Sequence, residues 1–178
     1  VVFGGSSRFD ESVYVQTREG KFRKPGITFK QKENKREEDE GILLFDADHD
    51  GDNDLYLARG SYQYEAGSQF YQHVLAINDG NGNFRLDTVS IGKIKTCSGP
   101  VKAADYDQDG DLDLFVGGRV LPRAYPKPDR SYILRNDTKV KDKPVFTDVT
   151  AELNPELQYP GMISDALWTD FDGDGKMD

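Results

Sequence analysis

The sequence predicts an all-β chain made of short strands joined by tight turns. Apolar runs of about five residues, a usual strand length, alternate with clusters of glycine, asparagine and aspartate. Of the 178 residues 18 are glycine, and aromatic residues make up 11% of the chain. Glycine-rich turns and aromatic residues favour strands over long helices. The same order of runs and turns also recurs along the chain, which predicts a repeat fold.

An acidic nine-residue segment marks the repeat. It begins at Asp46, Asp105 and Asp170, which are 59 and 65 residues apart. Acidic side chains occupy positions 1, 3, 5, 7 and 9, and glycine occupies position 6; only the third copy departs, with Lys176 at position 7. We call these segments loop 1 (46–54), loop 2 (105–113) and loop 3 (170–178).

Four short strands are predicted in each repeat, which we call a tile. A strand with glycine near its end follows loops 1 and 2, and residues 1–6 (Val-Val-Phe-Gly-Gly-Ser) match the strand that follows loop 2. Two further strands flank a turn, and an apolar strand then enters the next loop. The strand that follows a loop, or its equivalent at the start of the chain, is predicted at 1–6, 55–60 and 114–119. The two strands that flank the turn are predicted at 12–16, 73–78 and 131–136, and around residue 22, 84–86 and 145–147. The strand that enters a loop is predicted at 41–45, 100–104 and 162–168.

Four antiparallel strands repeated about every sixty residues are typical of the blades of a β-propeller. Residues 41–45 are the most uniformly hydrophobic strand, so the strand entering each loop is expected to be innermost. Three blades do not close a ring of about four to eight. We therefore expect a fragment of a longer propeller, or closure by self-association. The predicted divisions are 1–40 (a blade lacking its inner strand and loop, plus a charged connection), 41–98 and 99–160 (complete blades), and 161–178 (an inner strand and its loop).

The alternation of carboxylates predicts calcium loops. So many aspartates repel one another, and Ca²⁺ relieves this repulsion through oxygen ligands at alternating positions. Glycine at position 6 permits the sharp turn, position 7 contributes its carbonyl, and position 9 closes the site. One ion per loop, up to three, is expected. The predicted metal residues are Asp46, Asp48, Asp50, Asp52, Asp54, Asp105, Asp107, Asp109, Asp111, Asp113, Asp170, Asp172, Asp174, Lys176 and Asp178.

Three alternatives compete with the calcium-loop interpretation. An EF-hand needs glutamate at position 12, where Leu57 and Val116 stand, and it needs flanking helices. In a second alternative, the aspartates bind no metal and only form turns. Three copies of the same segment in register disfavour this interpretation. Magnesium prefers fewer protein ligands and more waters.

Charge and composition exclude several function classes. The net charge of −9 disfavours a nucleic-acid partner, and three bound Ca²⁺ would reduce it to −3. Cys97 is the only cysteine, so the chain has no internal disulfide and no thiolate zinc site; we expect a buried or half-buried residue. No segment is long enough for a transmembrane helix. His49 and His73 are the only histidines and form no catalytic pattern, so no enzyme activity is expected.

The frame Asp-x-Asp-x-Asp-Gly-x-x-Asp-Leu, followed by a strand ending in Gly-Gly, resembles the FG-GAP/VCBS repeats of integrin α subunits and bacterial surface proteins. Residues 146–175 are similar to the bacterial relatives of cartilage acidic protein. The resemblance implies a propeller of about seven blades with Ca²⁺ in the loop between the first two strands of a blade. It also implies adhesion or ligand binding without catalysis, outside the cell or on its surface, with a bacterial envelope favoured. Ala58-Arg59-Gly60 departs from the Gly-Gly pattern.

Ligand binding is expected on the rim opposite the calcium loops, where aromatic residues alternate with arginine. Such a surface suits a protein or glycan partner, and the remaining blades of the parent chain would be further partners. The same residues would otherwise pack between blades. An alternative function is a non-catalytic structural segment of a surface carbohydrate-processing enzyme. The predicted ligand residues are Tyr62, Tyr64, Tyr71, Arg119, Arg123 and Tyr125.

Two further segments were predicted to carry no function of their own. The charged run 30–40 is expected to be a solvated connection. Residues 121–130 are rich in proline and arginine, which predicts an extended loop.

Overall fold

The computed structural model describes residues 1–24 and 35–178, and it confirms the all-β prediction. Its helices are short: α1 spans Thr150–Leu153, and two 3₁₀ turns span Gln69–Tyr71 and Pro155–Gln158. The strands in the described residues are β1 (Val2–Phe3), β2 (Ser12–Val13), β3 (Val15–Gln16), β4 (Phe22–Arg23), β5 (Asp39–Phe45), β6 (Asp54–Arg59), β7 (Val74–Asn78), β8 (Phe84–Asp87), β9 (Ser98–Ala104), β10 (Asp113–Gly118), β11 (Tyr132–Asn136) and β12 (Phe146–Asp148).

Two four-stranded antiparallel sheets form most of the fold. The second tile is a meander with the order β5-β6-β7-β8, and the third repeats it as β9-β10-β11-β12. Equivalent register pairs occur in both, such as Phe45 with Asp54 and Ala104 with Asp113. Since neighbouring strands run in opposite directions, loops 1 and 2 lie at one end of their sheets and the connections after β6 and β10 lie at the other. This arrangement is consistent with propeller blades.

The main apolar core lies between these two sheets. Alternate residues of a strand point to opposite faces, so Tyr56 and Leu75 face the third tile while Leu55 and Ala76 face the first. The core between the second and third tiles contains Phe45, Ala47, Tyr56, Ala58, Leu75, Ile77, Ile91, Ile94, Val101, Leu114, Val116, Leu134 and Phe146. A smaller cluster on the other face comprises Leu55, Leu57, Val74 and Ala76, packed against Val2, Val13, Ile42 and Phe84.

The strands that enter the loops lie at the sheet edges and next to one another. A Cβ added to Gly41 on β5 would overlap the carbonyl oxygen of Gly99 on β9, so glycine allows the two strands to approach closely. The edge position agrees with the prediction of an innermost strand. The hydrophobicity of residues 41–45, on which that prediction was based, was the wrong criterion. Strand β5 is only half-buried, whereas all six residues of β6 are buried. Hydrophobicity in β5 therefore does not measure its burial.

The first tile has the predicted strand order but an interrupted ladder. Residues 12–13 pair with β1 and residues 15–16 pair with β4, so the predicted strand 12–16 is split at Tyr14. Tyr14 donates its backbone N–H to the carbonyl of Val1, at 2.7 Å. The tile thus forms two two-stranded sheets rather than one larger sheet.

The prediction of a strand at 162–168 was wrong. These residues form no ladder, although Ile163 donates its backbone N–H to Gly118 at 3.0 Å. In the other two tiles the corresponding strand pairs with the strand that leaves the loop. Among the described residues, no strand pairs with 162–168.

Residues 30–34 of the charged run at 30–40 lie outside the described residues, so the prediction is compared with the structure for residues 35–40 alone. Among residues 35–40, Arg36 and Glu40 are exposed as expected, whereas the prediction of a solvated connection was wrong for Lys35 and Asp39. Lys35 and Asp39 are buried and join Glu11 and Arg59 in a cluster of two cations and two anions. Each of the four side chains is at most 7% exposed. Burial is tolerated because each charge faces an opposite charge.

Candidate metal loops and the opposite rim

All three loops share one backbone conformation. Position 4 adopts a positive φ in each copy: 61° at His49, 63° at Gln108 and 78° at Gly173. Position 6 does the same, with φ between 87° and 98° at Gly51, Gly110 and Gly175. Glycine at position 6 therefore supplies the left-handed turn that the sequence pattern predicted. The conformation curls each acidic segment so that side chains from alternate positions converge.

The position 1 aspartate organises this turn. In loop 1 the Asp46 carboxylate accepts hydrogen bonds from the backbone N–H groups of Asp50 (3.2 Å) and Gly51 (2.9 Å). Asp105 accepts the equivalent pair in loop 2, both at 3.1 Å. Asp170 does so in loop 3, where its partners are Gly173 and Gly175. Position 1 therefore has a structural role in addition to its place in the acidic cluster.

The position 9 aspartate connects its loop to the sheet. Asp54 accepts the backbone N–H of Ala47 (2.9 Å) and that of Asn78 on β7 (2.8 Å). Asp113 accepts the N–H of Tyr106 (3.2 Å) and that of Asn136 on β11 (2.8 Å). Burial raises the pKa of both carboxyls to about 6, although these hydrogen bonds oppose the rise. Through these hydrogen bonds, each of the two carboxylates connects its loop to the third strand of the same blade.

Within each loop, three carboxylates come close enough to hold one cation. Their oxygens lie within 4.8 Å of one another. The sets comprise positions 1, 3 and 5 in loop 1, and positions 1, 3 and 9 in loops 2 and 3. The other predicted metal residues lie in the loops but outside these sets. The three sets are Asp46, Asp48 and Asp50; Asp105, Asp107 and Asp113; and Asp170, Asp172 and Asp178.

Loop 1 contains the observation that most favours a cation. Asp48 is 2% exposed, and neither of its carboxylate oxygens has a hydrogen-bond partner in the part of the chain that the structure describes. Oδ1 of Asp52 is also buried without a partner. Burial and then the neighbouring Asp50 raise the pKa of Asp48, and burial likewise raises the pKa of Asp52. Buried carboxylate oxygens without partners are costly, and a divalent cation would satisfy them. The residues present therefore fit Ca²⁺.

The loops also contact one another through position 4. His49 of loop 1 contacts the carboxylate of Asp111 in loop 2 through Nδ1. Gln108 of loop 2 donates through Nε2 to the carbonyl of Gly175 in loop 3, at 2.7 Å. The three acidic loops thus form one connected rim. Burial decreases along this rim, from the half-buried loop 1 to the fully exposed loop 3.

The predicted ligand residues lie on the opposite rim and differ in exposure. Tyr62 is 51% exposed and Tyr125 is 74% exposed. Tyr71 is buried, and its hydroxyl oxygen lies within hydrogen-bonding distance of the carbonyls of Ser61 (3.1 Å) and Tyr64 (2.9 Å), one of which takes its single hydrogen. Arg119 is exposed and Tyr64 is half-buried. Tyr71 therefore stabilises the 60–73 connection, while Tyr62 and Tyr125 are open to solvent.

Arg123 joins the rim connections of two tiles. Its guanidinium pairs with Glu65 and donates to the carbonyl of Gln63 at 3.3 Å. The connections after β6 and β10 thus form one continuous surface.

Two features of the site were missed by sequence reasoning. The buried cluster around Arg59 was signalled only by the departure from Gly-Gly at Ala58-Arg59-Gly60. Segment 137–144, which joins the predicted strands 131–136 and 145–147, contacts loop 1 through Thr138 and Lys141. The length of this segment and its basic residues are the sequence features that could have indicated this contact. Cys97 is buried, as expected.

No helix among residues 1–24 and 35–178 combines the length and apolar character needed to cross a membrane.

Comparisons with known proteins agree with the repeat. Residues 46–116 match a family model described as FG-GAP-like repeat, and this stretch contains loops 1 and 2. The chain is 28% identical over 143 residues to Cartilage acidic protein 1 of Mus musculus. The match covers 78% of this chain and 20% of that protein, so the chain spans about a fifth of the relative's length. Both matches confirm the resemblance predicted from the loops.

Proposed function

Because the chain carries an FG-GAP-like repeat in four-stranded antiparallel sheets, we propose that it is a calcium-stabilised propeller segment of a secreted or cell-surface protein. Ca²⁺ in loops 1–3 would act as a structural staple, and the opposite rim would bind a protein or glycan in adhesion or ligand recognition. No catalytic role is proposed. The similarity to Cartilage acidic protein 1 supports an extracellular setting, and a bacterial envelope is the setting we favour.

The buried carboxylate of Asp48 carries the calcium proposal. A turn-forming aspartate satisfies its oxygens with nearby backbone N–H groups, as Asp46 and Asp105 do. Asp48 has no such partner and is removed from solvent. A role in turn formation alone does not account for it, whereas a bound cation does.

Equilibrium dialysis with Ca²⁺ tests this proposal. We expect about three ions per chain, with dissociation constants of ~10⁻⁴–10⁻³ M as in extracellular modules. Asp48→Asn should remove one ion, since it takes a ligand charge from loop 1 only. Asp165→Asn is the matched control, because Asp165 is an exposed aspartate outside the loops. Equal stoichiometry in the Asp48 and Asp165 variants would contradict the proposal.

The exposed aromatic residues support a binding role for the opposite rim. Tyr62 and Tyr125 belong to neighbouring tiles, and the Arg123–Glu65 pair holds their connections together. Exposed tyrosines near arginine are typical of recognition surfaces. Packing between described blades does not account for side chains that are half or more exposed.

A glycan array, paired with a screen of candidate extracellular proteins, tests the rim. The double variant Tyr62→Ala/Tyr125→Ala should lose at least tenfold in affinity for whatever ligand the unmodified chain binds. Phe171→Ala is the control, because Phe171 is 86% exposed on the calcium rim. The rim proposal fails if the double variant binds as well as the control.

A further inference from the structure

Arg59 stands where the other two tiles have glycine. The strand after a loop places Gly5, Arg59 and Gly118 at the same position of the repeat. A Cβ added to Gly118 would overlap the carbonyl oxygen of Asp129, and one added to Gly5 would overlap that of Phe9. In the first and third tiles, the backbone of the rim connection therefore packs directly on this glycine. The second tile has an arginine side chain at this position instead.

The Arg59 side chain belongs to a cluster of four buried charges. Its Nη1 lies 3.2 Å from Oε1 of Glu11 and also contacts the carboxylate of Asp39. Nζ of Lys35 lies 2.6 Å from the same Glu11 oxygen and 3.1 Å from Oδ2 of Asp39. Asp39 also accepts the backbone N–H of Gly5 at 2.6 Å. The cluster thus joins the first tile to the start of β5 and the end of β6.

The connection that follows Arg59 is held by the residue next to the cluster. Gly60 donates its backbone N–H to the carbonyl of Glu38 at 3.0 Å, and Nε2 of Gln63 donates to the Glu38 carboxylate at 2.6 Å. Tyr62, which is 51% exposed, lies between these two anchored residues. The position of Tyr62 therefore depends on Glu38, and through Glu38 on the cluster.

Stability alone does not account for a buried cluster of charges. Replacing such charges with apolar residues of similar volume is often neutral or stabilising, whereas removing one partner is costly. Each of these four side chains is at most 7% exposed. An ionic cluster does favour one arrangement of the chain, because each charge must face its partner.

We propose that Arg59 is a positioning residue for the opposite rim. Together with Glu11, Lys35 and Asp39, it fixes segment 60–63 in one conformation and so presents Tyr62 to the ligand. This inference rests on the rim binding proposed above, and it names a buried residue on which the exposed surface depends.

Cys97 is a natural reporter for the position of segment 60–63. Its thiol lies 3.4 Å from the carbonyl oxygen of Ser61, the residue is 4% exposed, and the chain has no other cysteine. Movement of the segment would open the thiol to Ellman's reagent. The rate of thiol modification therefore measures how firmly the segment is held.

A charge-balanced double variant removes Arg59 without leaving an unpaired charge. Arg59→Met/Glu11→Gln takes away one cation and one anion, so Lys35 still faces Asp39. In the full chain, thiol modification should become about tenfold faster or more, because local opening becomes easier, while Tm stays close to that of the unmodified chain. Arg135→Met/Asp137→Asn is the matched control, since it removes an arginine–carboxylate pair at the calcium end of β11. The control should react at the unmodified rate.

Arg59→Lys keeps the proposal testable if the double variant does not fold. Lysine retains the charge but lacks the planar fork that reaches two carboxylates, so the rate should rise by less than in the double variant. An unchanged rate in every folded Arg59 variant would overturn the proposal. A rate that rises only in step with a lower urea midpoint would also overturn it, because Arg59 would then serve stability alone.

The rim proposal and this inference fail in distinguishable ways. Unchanged affinity of Tyr62→Ala/Tyr125→Ala refutes the binding rim, whereas modification of Cys97 needs no ligand and reports on segment 60–63 alone. For any ligand found in the binding screen, the charge-balanced variant should also lose affinity. Faster modification of Cys97 with unchanged ligand affinity would overturn the positioning role and leave the binding rim intact.

Discussion

His73 is a buried residue whose protonation state follows from its two partners. Nε2 lies 3.1 Å from the carbonyl oxygen of Thr96, which can only accept, so Nε2 carries the hydrogen. Nδ1 then accepts a hydrogen bond from the hydroxyl of Tyr56 at 2.9 Å. Burial lowers the pKa of His73 to about 4. The neutral ring is thus part of the core between the second and third tiles.

A pH dependence of stability follows. The pKa of His73 falls from 6.5 to about 4 on folding, so between these values the unfolded chain binds more protons. Its contribution is therefore complete above pH 6.5 and is lost as the pH falls toward 4, by up to about 3 kcal/mol. Urea unfolding of the unmodified chain and of His73→Gln should show a difference in free energy that shrinks over this range. Parallel pH curves would refute this assignment.

The aspartates of one loop have different roles, which sequence alone does not separate. Asp113 satisfies two backbone N–H groups. The pKa of Asp107 is raised first by desolvation of its carboxyl and then by repulsion from Asp109 and Asp105. Position 9 therefore supports the fold through its hydrogen bonds, whereas position 3 has a role only in the cation site that we propose.

These roles predict that alanine variants at the two positions differ in stability when calcium is removed by a chelator. With EDTA at pH 7.5, Asp113→Ala should lower the free energy of unfolding by about 2 kcal/mol, because two N–H groups lose their acceptor. Asp107→Ala should then be as stable as the unmodified chain or slightly more stable. With Ca²⁺ present, both variants should be less stable than the unmodified chain. Chemical unfolding in each condition provides the comparison, and equal losses for both variants in EDTA would contradict it.

At the scale of elements, the contact between β5 and β9 depends on one glycine. Gly41 meets the Gly99 backbone so closely that no side chain fits, whereas a Cβ on Gly99 would lie 3.6 Å from the carbonyl oxygen of Ile163, an ordinary contact. The two glycines face one another across the junction of two blades, but only one of them is sterically required.

Alanine substitutions test this asymmetry. Gly41→Ala should lower the free energy of unfolding by about 1–3 kcal/mol, the usual cost of overpacking. Gly99→Ala, the matched control on the neighbouring strand, should have little effect. Thermal unfolding of both variants measures the difference. A stable Gly41→Ala variant would mean that the two strands are farther apart than described.

Elements next to the loops were predictable from sequence because their signal is local. Short apolar runs and turn glycines, repeated along the chain, identified β5–β12 to within a few residues. Contacts between tiles have no such local signal. The burial of Lys35 depends on Glu11 and Asp39, which lie in different tiles. For the same reason the segment over loop 1 and the unpaired residues 162–168 were not predicted.

At the scale of the whole molecule, the acidic rim and the rim opposite it differ in chemistry. Three loops, connected through His49 and Gln108, concentrate negative charge at one end of the sheets. Exposed tyrosines and Arg123 lie at the other end. The sequence was sufficient to predict both rims, because the loops fix the phase of the repeat. It did not distinguish the exposed Tyr62 from the buried Tyr71, since both are tyrosines of one connection.

The central claim is that calcium stabilises this fold through the acidic loops. Thermal unfolding of metal-stripped protein, with and without Ca²⁺, tests it most directly. An ion at one hundred times its dissociation constant stabilises a folded protein by about 2.7 kcal/mol per site. We therefore expect Tm to rise with each increase in Ca²⁺ concentration and to return to its starting value with EDTA. A Tm that stays constant from metal-free buffer to saturating Ca²⁺ would contradict the account.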